Sequence, residues 1–355
     1  MRRIYLCRHG MPAFPQGEKC CIGGGSDPAL SPAGRMQACI LGLELHGRGP
    51  LRVFHSGMRR AAQTAAYLSE QARPLPAFRE LDMGQWEGLT FDAIRRRFPE
   101  EYARRGEDPA QYPPPGGESL AAAASRAAEG LRALLADTEG DLAVVAHAGV
   151  IRLLLCAAGG APLGAFLRFS LPYGCYYVLT WDGAHLRAEE APRRPEPVPS
   201  AETCRALLRA AGAPAAAADH CAAAADLARA LCAEVGGDGD LAFRAAALHD
   251  IAKGCPDHPR AGADWLRSVG WDAEADIVAR HQDLGQDASP EAKAVYLADK
   301  LLRGTERVSL AARFAASLEK CTTPEARAAH DRRAAEAFRL AAEFHLQETA
   351  PENSC

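Results

Sequence analysis

The first half of the chain alternates between two rhythms. Short, mostly apolar runs, Ile4 to Cys7, Leu51 to His55 (LRVFH) and Leu142 to Ala146 (LAVVA), each stop at a polar residue and give way to a loop or a helix. Continuous apolar runs of this length suit strands buried on both faces. Between them lie helical signals. Ser31 followed by Pro32 reads as the N-cap and first position of a helix to about His46. Asp92 to about Arg105, the alanine-rich stretch after Ser119 to about Leu135, and Val150 to about Ala158 also read as helices. Phe166 to Leu171 and Tyr176 to Trp181 read as later edge strands. Strands alternating with helices predict an α/β layered domain.

The pattern changes between Arg187 and about Thr203, a proline-rich stretch with charged residues and no apolar rhythm. Such a stretch reads as a linker. Beyond it the strand signals vanish and residues 204 to about 348 read as helical. The expected division is an α/β domain over 1–190, a linker over 191–203 and an all-α domain over 204–350. No internal repeat joins the two halves.

Composition sets limits on this picture. A chain of 355 residues suggests two domains. With 48% hydrophobic and 24% charged residues it has ordinary globular chemistry. A formal net charge of -4 gives no basic footprint, so nucleic acid is not expected as a partner. The short run Arg95, Arg96, Arg97 reads as a solvated helix face. Twelve cysteines occur without a C-x-x-C pair. No segment approaches the roughly 20 apolar residues of a membrane span, and no secretory leader precedes the first strand. A cytoplasmic location, with reduced thiols and no membrane partner, is the expectation.

The chemistry sits at the strand ends. Arg8-His9-Gly10 follows the first strand, Ser56 and Arg60 follow the second, and His147 follows Leu142 to Ala146. Ligands of open α/β sheets bind at carboxyl strand ends. Two histidines and two arginines there can surround one dianionic phosphoryl group, because the arginine fork donates in pairs to phosphate oxygens. A neutral imidazole can attack phosphorus, with a carboxylic acid protonating the leaving alkoxide.

These segments resemble the motifs of the histidine phosphatase (phosphoglycerate mutase-like) superfamily. Leu6-Cys7-Arg8-His9-Gly10 is similar to its opening motif, and Ser56 to Ala65 (SGMRRAAQTA) to its second motif, S-P-L-x-R-A-x-Q-T-A. Glu80 to Gly88 (ELDMGQWEG) resembles its acid-bearing segment, and Val145 to Gly149 (VAHAG) its last motif. The resemblance covers residues 1 to about 185. It implies a three-layer α/β fold, His9 as phosphorylated nucleophile and Glu80 as proton donor, with Glu87 as a competitor for that role. It also implies Arg8, Arg60 and His147 as phosphate ligands, His147 being catalytic as well, and no cofactor in this domain. Met11-Pro12 stands where the family commonly has Glu-Thr, and Gly57 where it has proline. The loop Gly24 to Ser31 resembles the α-ribazole-phosphatase-like branch, which favours a phosphatase over a mutase.

The helical half carries a second set, His220, His249-Asp250, His258, His281 and Asp299. Divalent ions accept imidazole and carboxylate together, and histidines from several helices can converge in a bundle. His330 and His345 read as surface residues. The ordered set H…HD…D resembles the HD superfamily of metal-dependent phosphohydrolases over roughly 215–315, carried by Ala245 to Lys253 (AAALHDIAK) and Val295 to Lys300 (VYLADK). The resemblance implies His220, His249, Asp250 and Asp299 as metal ligands. His258 and His281 fall where dinuclear members, such as the HD-type diadenosine tetraphosphate hydrolases, add ligands for a second ion of iron or manganese. With one ion instead, His258, His281 and Lys253 would face the substrate phosphate.

Together the resemblances imply a bifunctional phosphohydrolase. Its N-terminal monoesterase would act through phosphohistidine, and its C-terminal metal-dependent site on a nucleotide-like phosphate ester. The alternative is a single phosphatase regulated by an HD domain that binds a ligand without turnover. Small phosphorylated molecules are the expected substrates. Their identities and the oligomeric state are not legible.

Overall fold

The computed structural model describes residues 1–14, 18–196 and 200–348. Residues 15–17 of the first loop, 197–199 of the expected linker and 349–350 of the expected helical domain lie outside the described residues. The chain divides into two compact units, 1–197 and 198–355.

The first unit is built on six strands: β1 (Arg2–Arg8), β2 (Arg52–His55), β3 (Arg73–Pro74), β4 (Leu142–Ala146), β5 (Tyr176–Trp181) and β6 (Leu186–Ala188). They form one sheet in the order β3-β2-β4-β1-β5-β6. Strands β3, β2, β4 and β1 are parallel, and β5 turns antiparallel to β1. The helices of this unit are α1 (Pro32–His46), α2 (Arg59–Ala65), α3 (Phe91–Arg97), α4 (Pro99–Glu107), α5 (Leu120–Asp137) and α6 (Ala148–Ala158).

The alternation within the buried strands separates two cores. Ile4, Leu6, Leu142 and Val144 face one way, onto Leu120, Leu131, Leu134, Ile151 and Leu154 of α5 and α6. Tyr5, Cys7, Ala143 and Val145 face the other, onto Leu41 and Leu45 of α1 and Ala61 and Ala65 of α2. Apolar side chains on both faces explain why these runs lack a polar alternation. The result is a three-layer α/β fold.

Local chemistry sets the element ends. The Ser31 side chain accepts from the Gly34 N–H at 3.0 Å and caps α1, and Ser119 caps α5 in the same way. Two expectations change. Asp92 to Arg105 is not one helix but α3 and α4, because Pro99 forces Phe98 out of helical geometry (φ -134°, ψ 56°). Phe166 to Leu171 is not an edge strand. Leu163–Arg168 winds into a 3₁₀ helix after Pro162, burying Phe166 and leaving Leu167 exposed.

The second unit comprises α7 (Ala201–Ala211), α8 (Ala215–Glu234), α9 (Gly239–Leu248), α10 (His258–Ser268), α11 (Asp272–Val278), α12 (Pro290–Lys300), α13 (Leu310–Leu318) and α14 (Pro324–Glu343). A two-residue hairpin, β7 (Leu302–Arg303) and β8 (Glu306–Arg307), interrupts the expected run of helices. Alanines at 224, 225 and 228 of α8, 242, 245 and 246 of α9, and 294 and 298 of α12 are buried. Small contact residues let helix axes approach closely. The proline-rich stretch has structure at both ends: Arg193 bridges to Tyr176, and α7 begins at Ala201 under a Ser200 cap.

Candidate functional sites in the two units

Because β2, β4 and β1 are neighbours with matched register, their carboxyl ends line up. Arg8 pairs with Ala146, and His55 with Val145, so His9, His147 and Ser56 emerge side by side. Backbone bonds from His9 N to Ala146 O and from Ser56 N to Val145 O continue the ladder one residue past the strands. Gly10 follows His9 because the backbone runs against α1 there; a Cβ at Gly10 would lie 2.1 Å from the Gly34 carbonyl oxygen.

The imidazoles of His9 and His147 are buried, with ring centroids 4.9 Å apart. The Nδ1 of His9 lies 2.7 Å from the Gly10 carbonyl, which can only accept, so Nδ1 carries the proton and Nε2 holds a lone pair. The Arg60 Nε–H points at that Nε2 from 3.3 Å. Burial, then the adjacent Arg60 and Arg8 cations, hold His9 well below the ordinary imidazole range. Burial, His9 and the same arginines do so for His147. Both rings are therefore neutral near neutral pH.

Arg60 is buried and is steered by carbonyls of the loop before α1, donating to Ser26 O at 2.8 Å and Gly23 O at 3.0 Å. Arg59 faces solvent. Arg8 donates to Leu171 O and lies over the Tyr173 ring, 3.7 Å from its centroid. The His147 Nε2 is 2.7 Å from Ser56 Oγ. Beside the His9 ring, Arg8 Nε and His147 Nδ1 are buried without a hydrogen-bond partner. Unpaired buried polar atoms are costly, and here they sit among arginines and imidazoles, the surroundings an oxyanion would satisfy.

The two acidic residues separate cleanly. Glu80 accepts from Gly149 N and Val150 N, the first turn of α6, at 3.1 and 3.2 Å. Gly149 is required for this, since a Cβ there would lie 2.5 Å from Glu80 Oε1. Glu87 instead holds the first loop, accepting from Gly23 N, Gly25 N and Ser26 Oγ. Arg8, Glu80, Gly149 and Tyr173 line one cavity of about 490 Å³, whose far wall includes Ile22, Trp86 and Phe166.

In the second unit the six expected metal ligands come from five places. His220 lies on α8, His249 and Asp250 follow α9, His258 opens α10, His281 follows α11, and Asp299 lies on α12. Asp257, in the left-handed region (φ 49°, ψ 53°), turns the chain so that α10 starts at His258. The ligand atoms fall into three overlapping sets: His220, His249 and Asp299; Cys221, His249 and Asp250; and Asp250, His258 and His281. His220 Nε2 is 2.9 Å and His249 Nε2 3.7 Å from Asp299 Oδ1. His258 Nε2 is 3.1 Å and His281 Nε2 3.8 Å from Asp250 Oδ1.

Three of these imidazoles have Nδ1 against a backbone carbonyl: His220 on Gly304 O at 2.8 Å, His249 on Ala246 O and His281 on Val278 O, both at 2.7 Å. The carbonyl contact fixes each ring and turns its Nε2 toward the carboxylates, that of His220 meeting Asp299 Oδ1 at 2.9 Å, the arrangement that orients metal-ligating histidines. The His249 Nε2 is buried with no hydrogen-bond partner. Burial opposes charge on Asp250, yet bonds from His258 and Lys253 hold its carboxyl well below the usual range. Burial likewise opposes charge on Asp299, and Lys300 and His220 hold it low. A buried imidazole nitrogen without a hydrogen bond, 3.7 Å from the carboxylates of Asp250 and Asp299, fits a cation site.

Comparison with known proteins finds one family match in each unit. The profile of the Histidine phosphatase superfamily (branch 1) matches residues 4–191, more than half of the chain. The chain belongs to the histidine phosphatase superfamily. A second profile, that of the HD domain, matches residues 217–304. The phosphatase part is 34% identical over 156 residues to 6-phosphofructo-2-kinase/fructose-2,6-bisphosphatase 1 of Rattus norvegicus, covering 43% of this chain and 32% of that protein. The match thus spans about a third of that relative's length. Among solved structures, Bacillus stearothermophilus YhfR is similar with 26% identity and a TM-score of 0.50, over 53% of this chain and 95% of that one. The alpha-ribazole phosphatase of Shigella flexneri is similar with 24% identity and a TM-score of 0.48, over 53% and 94%.

Apart from Glu87, which is taken up by the first loop, the structure brings together the residues the sequence nominated in each unit. It adds some that sequence reading passed over. Tyr173, in the turn before β5, contacts both Arg8 and His9 of the phosphatase site; an aromatic in a Pro-Tyr-Gly turn was the available signal. His330 is not a surface residue as expected. Its side chain is 10% exposed, bonds to Phe314 O and Ser317 Oγ, and lines a cavity beside the HD cluster. Among the described residues no helix is long and apolar enough to cross a membrane.

Proposed function

We propose that the protein is a bifunctional phosphohydrolase, with a phosphomonoesterase over 1–190 and a metal-dependent HD phosphohydrolase over 204–350. The observation that carries the first activity is the His9 tautomer: Nδ1–H bonded to Gly10 O, and an Nε2 that keeps its lone pair and accepts from Arg60 Nε at 3.3 Å. That Nε2 attacks the phosphorus of a small phosphate monoester as the ester P–O bond breaks. Glu80 gives its proton to the leaving alkoxide. Water, deprotonated by Glu80, then attacks the phosphohistidine, releasing phosphate and restoring His9. Arg8, Arg60 and His147 bind the phosphoryl oxygens. Ser56 positions His147 by donating its hydroxyl proton to Nε2, which leaves Nδ1–H for the phosphoryl group. The arginines supply the charge neutralisation, so the reading assigns this site no metal.

For the second activity, His220, His249, Asp250, His258, His281 and Asp299 hold one or two divalent ions, of iron, manganese or a similar metal. A divalent ion there supplies Lewis acidity toward a phosphoryl oxygen. The backbone carbonyls on three Nδ1 atoms fix the rings, and Lys253 and Lys300, bonded to Asp250 and Asp299, stand beside the anion.

Brief exposure to p-nitrophenyl phosphate with an alkaline quench tests the first step. Intact-mass analysis should find a phosphoryl adduct on His9, increased in Glu80→Gln and absent in His9→Ala. An adduct that survives His9→Ala would remove His9 as nucleophile.

A further inference from the structure

We infer that the cavity beside the HD cluster is a binding subsite for a multiply charged phosphate chain, and that Arg313 is its phosphate-binding residue. The inference rests on the reading of the second unit as a metal-dependent phosphohydrolase and extends it beyond the matched HD residues, since Arg313 lies on α13, outside 217–304.

The cavity holds about 320 Å³, at the small end of the roughly 300–1,000 Å³ typical of ligand pockets. Asp250, His281 and Asp299 of the metal cluster form part of its wall, so a ligand in it meets the cluster directly. Its cations are not equivalent. Lys253 is bonded to Asp250, Lys300 to Asp299, and Arg333 to Asp283. His330 is held by Phe314 O and Ser317 Oγ through Nε2 and by Asp331 Oδ1 through Nδ1. Arg313 alone among these has no acidic partner among the described residues, and its Nε is buried with no hydrogen bond.

A buried guanidinium nitrogen without an acceptor loses its hydration without replacement. Tertiary structure tolerates it where a ligand supplies the acceptor. The three paired cations are balanced by their carboxylates, so Arg313 and any divalent ion are net positive charge in the cavity. A single excess cation next to a metal centre suits a chain whose one phosphate meets the cluster while the next meets Arg313. The guanidinium fork matches two phosphate oxygens, which a lysine cannot reproduce.

Cys321 lines the same cavity and is partly exposed, so its alkylation reports on occupancy there and not at the phosphatase site. Inorganic pyrophosphate is titrated into the full-length protein loaded with Mn²⁺, and iodoacetamide labelling of Cys321 is followed by peptide mass spectrometry. Pyrophosphate should protect Cys321 saturably. Arg313→Gln should raise the protection midpoint by at least about tenfold with bound manganese unchanged, and Arg313→Lys should recover part of it. An unchanged midpoint in a folded Arg313→Gln protein overturns the proposal, as does failure of pyrophosphate to protect the wild type. If the wild type takes up no manganese but shows Arg313-dependent protection, the subsite stands and the metal reading fails.

Discussion

The two sites prepare their histidines in the same way and surround them with opposite charge. In the phosphatase unit His9 gives its Nδ1–H to the carbonyl of Gly10; in the HD unit His220, His249 and His281 give theirs to Gly304, Ala246 and Val278. Each of these rings turns its Nε2 toward the charged groups of its site: that of His9 accepts from Arg60 Nε, and that of His220 bonds Asp299 Oδ1. What differs is the company. Arg60 Nε stands 3.3 Å from the His9 lone pair and Arg8 is adjacent in the chain. Asp299 and Asp250 stand 3.7 Å from that of His249. An imidazole lone pair among arginines is set for electron-poor phosphorus in an anion, and one among carboxylates for a cation. Backbone carbonyls fix the donor atom, and neighbouring charge selects what it meets.

Substitutions can break this comparison one side at a time. His9→Ala should lower p-nitrophenyl phosphate turnover by at least about 10³-fold while leaving bound metal unchanged. Loss of metal in that variant would mean the two centres are not separate. Glu80→Gln should cost about 10² to 10⁴-fold in kcat, with KM little altered, because the residue moves a proton and does not grip phosphate. A rise in KM alone would reassign it to binding. His249→Ala should reduce metal per chain, measured by plasma mass spectrometry, by at least about tenfold, with monoesterase turnover kept. Undiminished metal would remove His249 from the ligand set.

The smallest expected effect is on stability. The folded values of His9 and His147 lie well below the ordinary 6.5, so below pH 6.5 the unfolded chain binds protons that the fold refuses. Their contribution is complete above pH 6.5 and is lost as pH falls toward the depressed values. The urea midpoint of the phosphatase unit should therefore fall between about pH 7.5 and about pH 5.5, and His9→Gln should flatten that slope. An unchanged slope would show that burial of His9 is not what couples stability to protons.

Much of this was legible in the chain because the chemistry sits at boundaries that sequence marks well. LAVVA names a buried strand, its end names His147, and the register of parallel neighbours carries His9 and Ser56 to the same edge. Ser31-Pro32 fixed the start of α1 at the observed residue. Phe166 to Leu171 was misread because a short apolar run does not distinguish a strand from a 3₁₀ turn set by Pro162. Pro99 was a readable break that the polar helix pattern masked. Tyr173, His330 and Arg313 were illegible for a different reason. Each is placed by tertiary structure, against Arg8, against Phe314 and at the wall of a cavity, and no local spacing encodes those.

The claim that one chain carries an arginine-based and a metal-based centre is tested most directly by chelation. Metal per chain and p-nitrophenyl phosphate turnover are measured on one sample of the full-length protein before and after removal of divalent ions. The account predicts that bound metal falls to background while turnover is retained. Turnover that falls in step with the metal, and returns when Mn²⁺ is restored, would contradict it.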